Sequence, residues 1–171
     1  MSEIERDEWW DDEVPPEGYY AVEARDGREF IIKMLDGSDV IKTIKKFAKD
    51  RKISIARIHA VFMGGFQPAK YQMWAPDTAD PGNWGHEEIA TTHNLSLILS
   101  MSGIIQPSGD SEEPYVKIHF VAGGGWDCPT FGGHLVEGTL VKGICCFYIT
   151  ELLGLELLPK AGVDDWFTEI K

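Results

Sequence analysis

Two neighbouring stretches of this chain alternate residue character with a period of two, and that alternation constrains the fold more than any other feature. Leu95, Leu97, Leu99 and Met101 alternate with Ser96, Ile98, Ser100 and Ser102. Val116, Ile118, Phe120 and Ala122 alternate with Tyr115, Lys117, His119 and Val121. Successive side chains of a strand point to opposite faces, so each stretch predicts a strand in a sheet whose two faces differ. Residues 107–114, opened and closed by prolines, form the turn between them.

Further strands are expected on either side. Runs at 19–24 and 28–35 flank Asp26-Gly27, a dipeptide suited to a type I′ hairpin turn, where both central residues need positive φ. Residues 53–62 predict a strand broken at Gly64-Gly65, and a shorter run spans 70–75. Residues 76–87 have loop composition, and 138–149 predict a long apolar strand with few charges. One helix is expected after residue 36. Asp36, Ser38 or Asp39 can cap it, and Val40, Ile41, Ile44, Phe47 and Ala48 share a face opposite a row of lysines. Each large side chain buried on that stripe would contribute ~1.5–3 kcal/mol before entropy is counted. One main amphipathic helix and about seven strands, mostly joined as hairpins, describe an α+β fold on an antiparallel sheet.

The 171 residues and 43% hydrophobic content suit one domain, expected over residues 19–171. Residues 1–18 read as an acidic arm: Glu3, Glu5, Asp7, Glu8, Asp11, Asp12 and Glu13 stand against Arg6 alone. Trp9-Trp10 within it is expected to dock on the domain or on a neighbouring subunit. Residues 42–57 reverse the sign, with Lys42, Lys45, Lys46, Lys49, Arg51, Lys52 and Arg57 against Asp50. That lysine face reads as a solvated surface or, more sharply, as an anion or partner site. The formal net charge of −12 opposes non-specific attraction to nucleic acid and anionic lipid. Three cysteines, two of them adjacent, make neither a disulfide framework nor a zinc ribbon, and predict buried free thiols in a reducing compartment. No run approaches ~20 apolar residues, and the N-terminus lacks a basic segment followed by an apolar one, so a cytoplasmic location without membrane association is expected.

Residues 114–138 carry the chemistry-bearing side chains. Alternation sets Lys117 and His119 on the face opposite Val116, Ile118 and Phe120. Gly132-Gly133-His134 brings a second imidazole after paired glycines that permit close backbone approach. If the two segments pair, His119 and His134 lie side by side, with Glu137 as an oxygen ligand or as a base behind a histidine. Two imidazoles and a carboxylate suit zinc or another divalent transition metal, while a lysine beside a histidine suits acid–base or carbonyl chemistry. Packed core histidines give the same pattern, and the residues alone leave these readings open. Gly123-Gly124-Gly125 lacks the Gly-Lys-Ser/Thr ending of a phosphate loop and reads as a bulge or turn. Asp127-Cys128-Pro129 has no assigned basic partner. His59 is expected to pack with Ile55, Arg57 and Val61, and no role falls to His86 or His93.

Gly-Gly-His-Leu-Val-Glu-Gly at 132–138, the histidine-bearing strand before it, and Leu-Ser-Leu-Ile-Leu-Ser-Met-Ser-Gly at 95–103 together resemble the PPC (plants and prokaryotes conserved) domain. The likeness runs from near Arg28 through the strand that follows Gly138. It implies an α+β fold around an antiparallel sheet and a homotrimer. In plants such domains follow AT-hook motifs in nuclear DNA-binding proteins, whereas prokaryotic members usually stand alone. Some hold a metal through a His-x-His strand and the histidine of Gly-Gly-His. Here the first of those positions reads Lys117-Ile118-His119, and no Arg-Gly-Arg-Pro hook is present. The resemblance thus implies a stand-alone, non-enzymatic homotrimeric binding or regulatory module, associated with DNA by family alone. The alternative is an enzyme, or a small-molecule or metal-binding sensor, with its site at Lys117, His119, His134 and Glu137. His119 and His134 are the metal candidates, with low zinc occupancy expected because Lys117 stands where a histidine is implied. Expected partners are further copies of the chain, a small anion or a protein, with direct duplex-DNA binding weak.

Overall fold

The computed structural model describes residues 21–76, 84–86, 88–109, 111–123, 129–160 and 163–170. The acidic arm with Trp9-Trp10, Gly124-Gly125 and Asp127-Cys128 lie outside the described residues. In chain order the elements are β1 (Arg25–Leu35), α1 (Val40–Arg51), β2 (Ala56–Phe66), β3 (Ala69–Gln72), β4 (Trp74–Pro76), β5 (Trp84–His86) and β6 (Ala90–Thr92). They continue with β7 (Ser96–Gln106), β8 (Tyr115–Gly123), β9 (Phe131–Leu135), β10 (Val141–Leu153), β11 (Leu157–Lys160) and β12 (Val163–Ile170). Eight strands form one sheet in the order β1-β10-β2-β7-β8-β9-β3-β6, with antiparallel neighbours throughout. Two ribbons, β4-β5 and β11-β12, stand beside it. The expected α+β fold is present, with one strand more in the main sheet than the apolar runs suggest.

The helix follows its sequence closely. Asp39 caps it, its Oδ1 accepting from the Lys42 backbone N–H at 3.1 Å. Val40, Ile41, Ile44 and Ala48 are buried, and Phe47 meets Phe30 edge-on at 5.1 Å. This stripe lies on the inner face of the sheet with Ile58, Ile105, Ile118, Phe120, Phe147 and Ile149. The face of the sheet opposite the helix is its outer face.

Four local readings change. Asp26-Gly27 does not turn a hairpin: β1 runs through it against β10, from Arg25↔Leu153 to Leu35↔Ile144, and absorbs the dipeptide as a bulge between Asp26 and Glu29. Gly64-Gly65 does not break β2. A Cβ at Gly64 would lie 2.5 Å from Ile98 Cδ1, so the glycine serves close packing inside a continuous strand. Within 76–87, β5 pairs with β4 through Trp74↔His86 and Ala75↔Gly85, so this segment is not wholly loop. The long strand predicted from residue 138 begins later, at Val141, because residues 136–139 close a turn.

The largest departure is in β7. The leucine stripe and Met101 do not share a face. Ile98 pairs with Ala122, and the next pair is Ser100↔Val121, which leaves Leu99 as an extra residue. One inserted residue exchanges the faces of everything beyond it. Ser96 is buried and Ile98 packs against the core, whereas Leu95, Leu97 and Leu99 are 46%, 55% and 61% exposed on the outer face. Phe62 and Met63 on β2 and Val121 on β8 flank them, at 55%, 50% and 41% exposure.

Candidate functional site

The outer face also carries the histidines. β8 and β9 pair with His119 opposite His134, and their rings stack with centroids 4.3 Å apart and planes 11° from parallel. The glycines before His134 allow this. A Cβ at Gly132 would sit 2.1 Å from the Phe120 carbonyl oxygen, and one at Gly133 would sit 2.5 Å from that of Gln72. With glycine at both positions, β9 fits between β8 and β3. Ser102 on β7 stands opposite His119 and Gln72 on β3 opposite His134, so the pair is the centre of a row crossing four strands. Lys117 lies two residues before His119 on the same face, half-buried. Loss of water around the packed His119 ring, and then the Lys117 charge, hold its pKa below the usual histidine value. A neutral imidazole can accept a proton or donate a lone pair, and both stay available near pH 7.

Glu137 is not brought to the histidines. Its carboxylate meets Lys45 Nζ at 3.0 Å and Lys42 Nζ at 3.8 Å. The cause is local: the turn before β10 is tied to the helix start, where the Gly138 N–H donates to Asp39 Oδ2 at 2.8 Å. Glu137 therefore faces α1 rather than the outer face. Without it the donor set does not fit a metal centre. Among the described residues no three His, Cys, Asp or Glu side chains converge, and Lys117, two residues before His119 on the same face, brings an ammonium. A resident zinc takes at least three protein donors.

His59 does not pack inward with Val61. Val61 packs against the core, but His59 stacks on Tyr148 at 5.8 Å and its Nε2 lies 2.8 Å from Thr150 Oγ1. That hydroxyl donates to Glu29 at 3.1 Å, so a polar chain crosses β2, β10 and β1. Positive φ at Ala60 (50°) interrupts the alternation that placed His59 and Val61 together. The sequence signal for this group is confined to the residues themselves, because their meeting depends on cross-strand register. His93 is exposed and offers its carbonyl to Gln67. Cys145 and Cys146 are free and buried; burial, with Cys146 adding, pushes the Cys145 thiol up to about 12, which leaves it inert as a nucleophile.

The lysine face of α1 is already partly answered by acids. Besides the Glu137 contacts, Lys49 meets Glu113 at 2.5 Å and Lys46 meets Asp50 at 2.5 Å. The hydrogen bond from Lys49 holds the Glu113 carboxyl below its ordinary range. No helix among the described residues is long and apolar enough to cross a membrane.

These features define a class: an antiparallel α+β sheet with one helix on its inner face and a histidine-bearing hairpin on its outer face. Residues 21–153 match the Plants and Prokaryotes Conserved (PCC) domain, and the chain belongs to that family, the one written PPC above. Solved structures share the fold. A plant- and prokaryote-conserved (PPC) protein of Pyrococcus horikoshii superposes with a TM-score of 0.70 at 22% identity, covering 90% of this chain and 99% of that one. A metal-containing protein of Archaeoglobus fulgidus gives 0.67 at 22% identity, over 87% and 99% of the two chains. A candidate DNA-binding protein of Bacteroides thetaiotaomicron gives 0.59 at 17% identity, over 79% and 87%. No curated protein sequence matches the chain.

Proposed function

We propose that this chain is a non-enzymatic, homotrimeric binding module of the cytoplasm, assembled through its outer sheet face, with its ligand site around His119, His134 and Lys117. The observation that carries the reading is the exposed apolar strip of Leu95, Leu97, Leu99, Phe62, Met63 and Val121, spread over the adjacent strands β2, β7 and β8. Monomers seldom leave such a strip in water. Burying the exposed half of each side chain recovers roughly half of the ~1.5–3 kcal/mol that full burial is worth. Two buried free thiols fit a reducing compartment. Sedimentation velocity on the purified chain tests the reading: a trimer is expected, and a monomer across the micromolar range would overturn it.

The likeness to a candidate DNA-binding protein supports association with DNA within an assembly. Direct contact by this chain is weak on the same reading, because the net charge is −12 and the α1 lysines already face Glu113, Glu137 and Asp50. A second reading, acid–base chemistry on a carbonyl compound, is favoured by one observation: His119 is held neutral beside Lys117.

A further inference from the structure

The two edges of the main sheet differ. One is β6, three residues long. The other is β1, eleven residues long, whose one sheet neighbour among the described residues is β10. From Glu29↔Thr150 to Leu35↔Ile144 that pairing runs without a register shift. The far side of the same seven residues therefore presents backbone N–H and C=O groups in regular order. Proteins blunt such an edge by shortness, proline or a bulge. Shortness blunts β6. Residues 29–35 contain no proline, and the bulge of β1 lies before them, between Asp26 and Glu29.

The side chains of this stretch are self-complementary about Ile31. Phe30, Ile32 and Met34 pack on the core, while Glu29, Ile31, Lys33 and Leu35 are exposed on the outer face, Ile31 at 66% and Leu35 at 61%. Glu29 stands two residues before Ile31 and Lys33 two residues after it. When a second copy of the strand lies antiparallel with Ile31 opposite Ile31, each Glu29 faces a Lys33 and each Phe30 faces an Ile32. Opposite charges, and an aromatic ring beside a β-branched chain, are favourable cross-strand pairs. A two-fold axis through Glu29 or Lys33 would instead set like charges face to face, so charge selects the register. Both groups are able to respond. Lys33 makes no ion pair among the described residues, and Glu29 gives only its Oε2 to the Thr150 hydroxyl.

We infer that the β1 edge binds a second copy of this chain, residues 29–33 pairing antiparallel about a two-fold axis at Ile31, so that two sheets join edge to edge. Main-chain hydrogen bonds supply the attraction, and the Glu29–Lys33 pairs fix which residues meet. The contact is isologous, the same surface serving both copies. It uses the strand edge and not the leucine strip, so it doubles whatever unit the outer face builds and does not rest on the proposed trimer.

The test uses the full-length chain, with the native protein as the blank for its own cysteines. Opposed Cα atoms of an antiparallel pair lie about 4.5–5.5 Å apart, within the span of a disulfide. Mild oxidation of Ile31→Cys should therefore give a covalent dimer. In the same register the two copies of residue 33 lie about 13 Å apart, so Lys33→Cys should not link. Glu29→Lys and Lys33→Glu should each weaken the pairing about tenfold in sedimentation equilibrium, with circular dichroism unchanged. Mixing the two variants should restore it, because one edge is then wholly basic and the other wholly acidic; so should the double exchange. Adding Leu97→Asp and Leu99→Asp to Ile31→Cys should leave the disulfide in place, which separates this contact from the outer-face assembly. No link through residue 31, equal linking through residue 33, or no recovery in the mixture would each overturn the inference.

Discussion

The imidazole of His119 lies 4.3 Å from that of His134, nearly parallel, with Lys117 on the same face of β8. Two cations at that spacing beside a third repel one another, and partial burial already disfavours a charged His119. Its folded pKa is thus below the value of about 6.5 expected in the unfolded chain. The unfolded state binds the proton more readily, so stability rises with pH through the window between the two values. The protein is expected to hold full stability from this group above about pH 6.5 and to lose it as pH falls through the lower folded value. Urea midpoints from pH 5 to 8 should show this slope, and His119→Gln should flatten it. An unchanged slope in the variant would remove the pair from the account.

Leu97 and Leu99 stand on the outer face without serving the core, so their replacement should affect assembly and spare the fold. Leu97→Asp with Leu99→Asp is expected to convert the proposed trimer to monomers in sedimentation velocity while leaving the far-ultraviolet circular dichroism unchanged. Ile105→Asp, at a fully buried position on the same strand, should instead unfold the chain. A trimer that survives both leucine changes would place the seam elsewhere.

Gly132 holds β9 against β8. A methyl group there would sit 2.1 Å from the backbone oxygen of Phe120, and neither strand has a flexible side-chain end to yield. Gly132→Ala is expected to cost about 2–3 kcal/mol in chemical denaturation, the range of a forced backbone shift. The displacement should also separate the histidine rings and move the His119 resonances in NMR. A loss below about 0.5 kcal/mol, which is ordinary for a surface change, would show that the strands adjust freely.

The elements that were legible were those whose reason is local. Asp39 and the stripe from Val40 to Ala48 name a helix because cap and period lie within one segment. The Gly-Gly-His approach was readable too, since paired glycines announce backbone proximity before the partner strand is known. What could not be read was whatever turns on a single residue in a distant strand. The extra Leu99 in β7 exchanges the faces of the residues beyond it, so Met101 turns inward and parts from Leu95, Leu97 and Leu99 on the outer face. Gly64-Gly65 and Asp26-Gly27 have the composition of breaks, but their partner β10 extends past both. Glu137 follows His134 by three residues, yet the turn tied to Asp39 directs it to Lys45.

The last expectation concerns the donor that the site lacks. Lys117 and His119 are alternate residues of β8 and share its outer face, so an imidazole at residue 117 would stand beside the existing pair. Zinc binds histidine nitrogens at about 2.0–2.1 Å and in catalytic centres takes three protein ligands with one open position. The native chain offers two such nitrogens and an ammonium, which repels a divalent ion and has no lone pair unless it loses its proton. Lys117→His removes the repulsion and adds the third donor in one step. Calorimetric titration with zinc at pH 7.5 is expected to show weak binding by the native protein and at least tenfold tighter binding by Lys117→His. Adding His134→Ala to that variant should abolish the gain, since two neighbouring donors on one strand no longer make a centre. A native protein that binds zinc as tightly as Lys117→His would refute the argument from Lys117 and require a ligand from another copy of the chain.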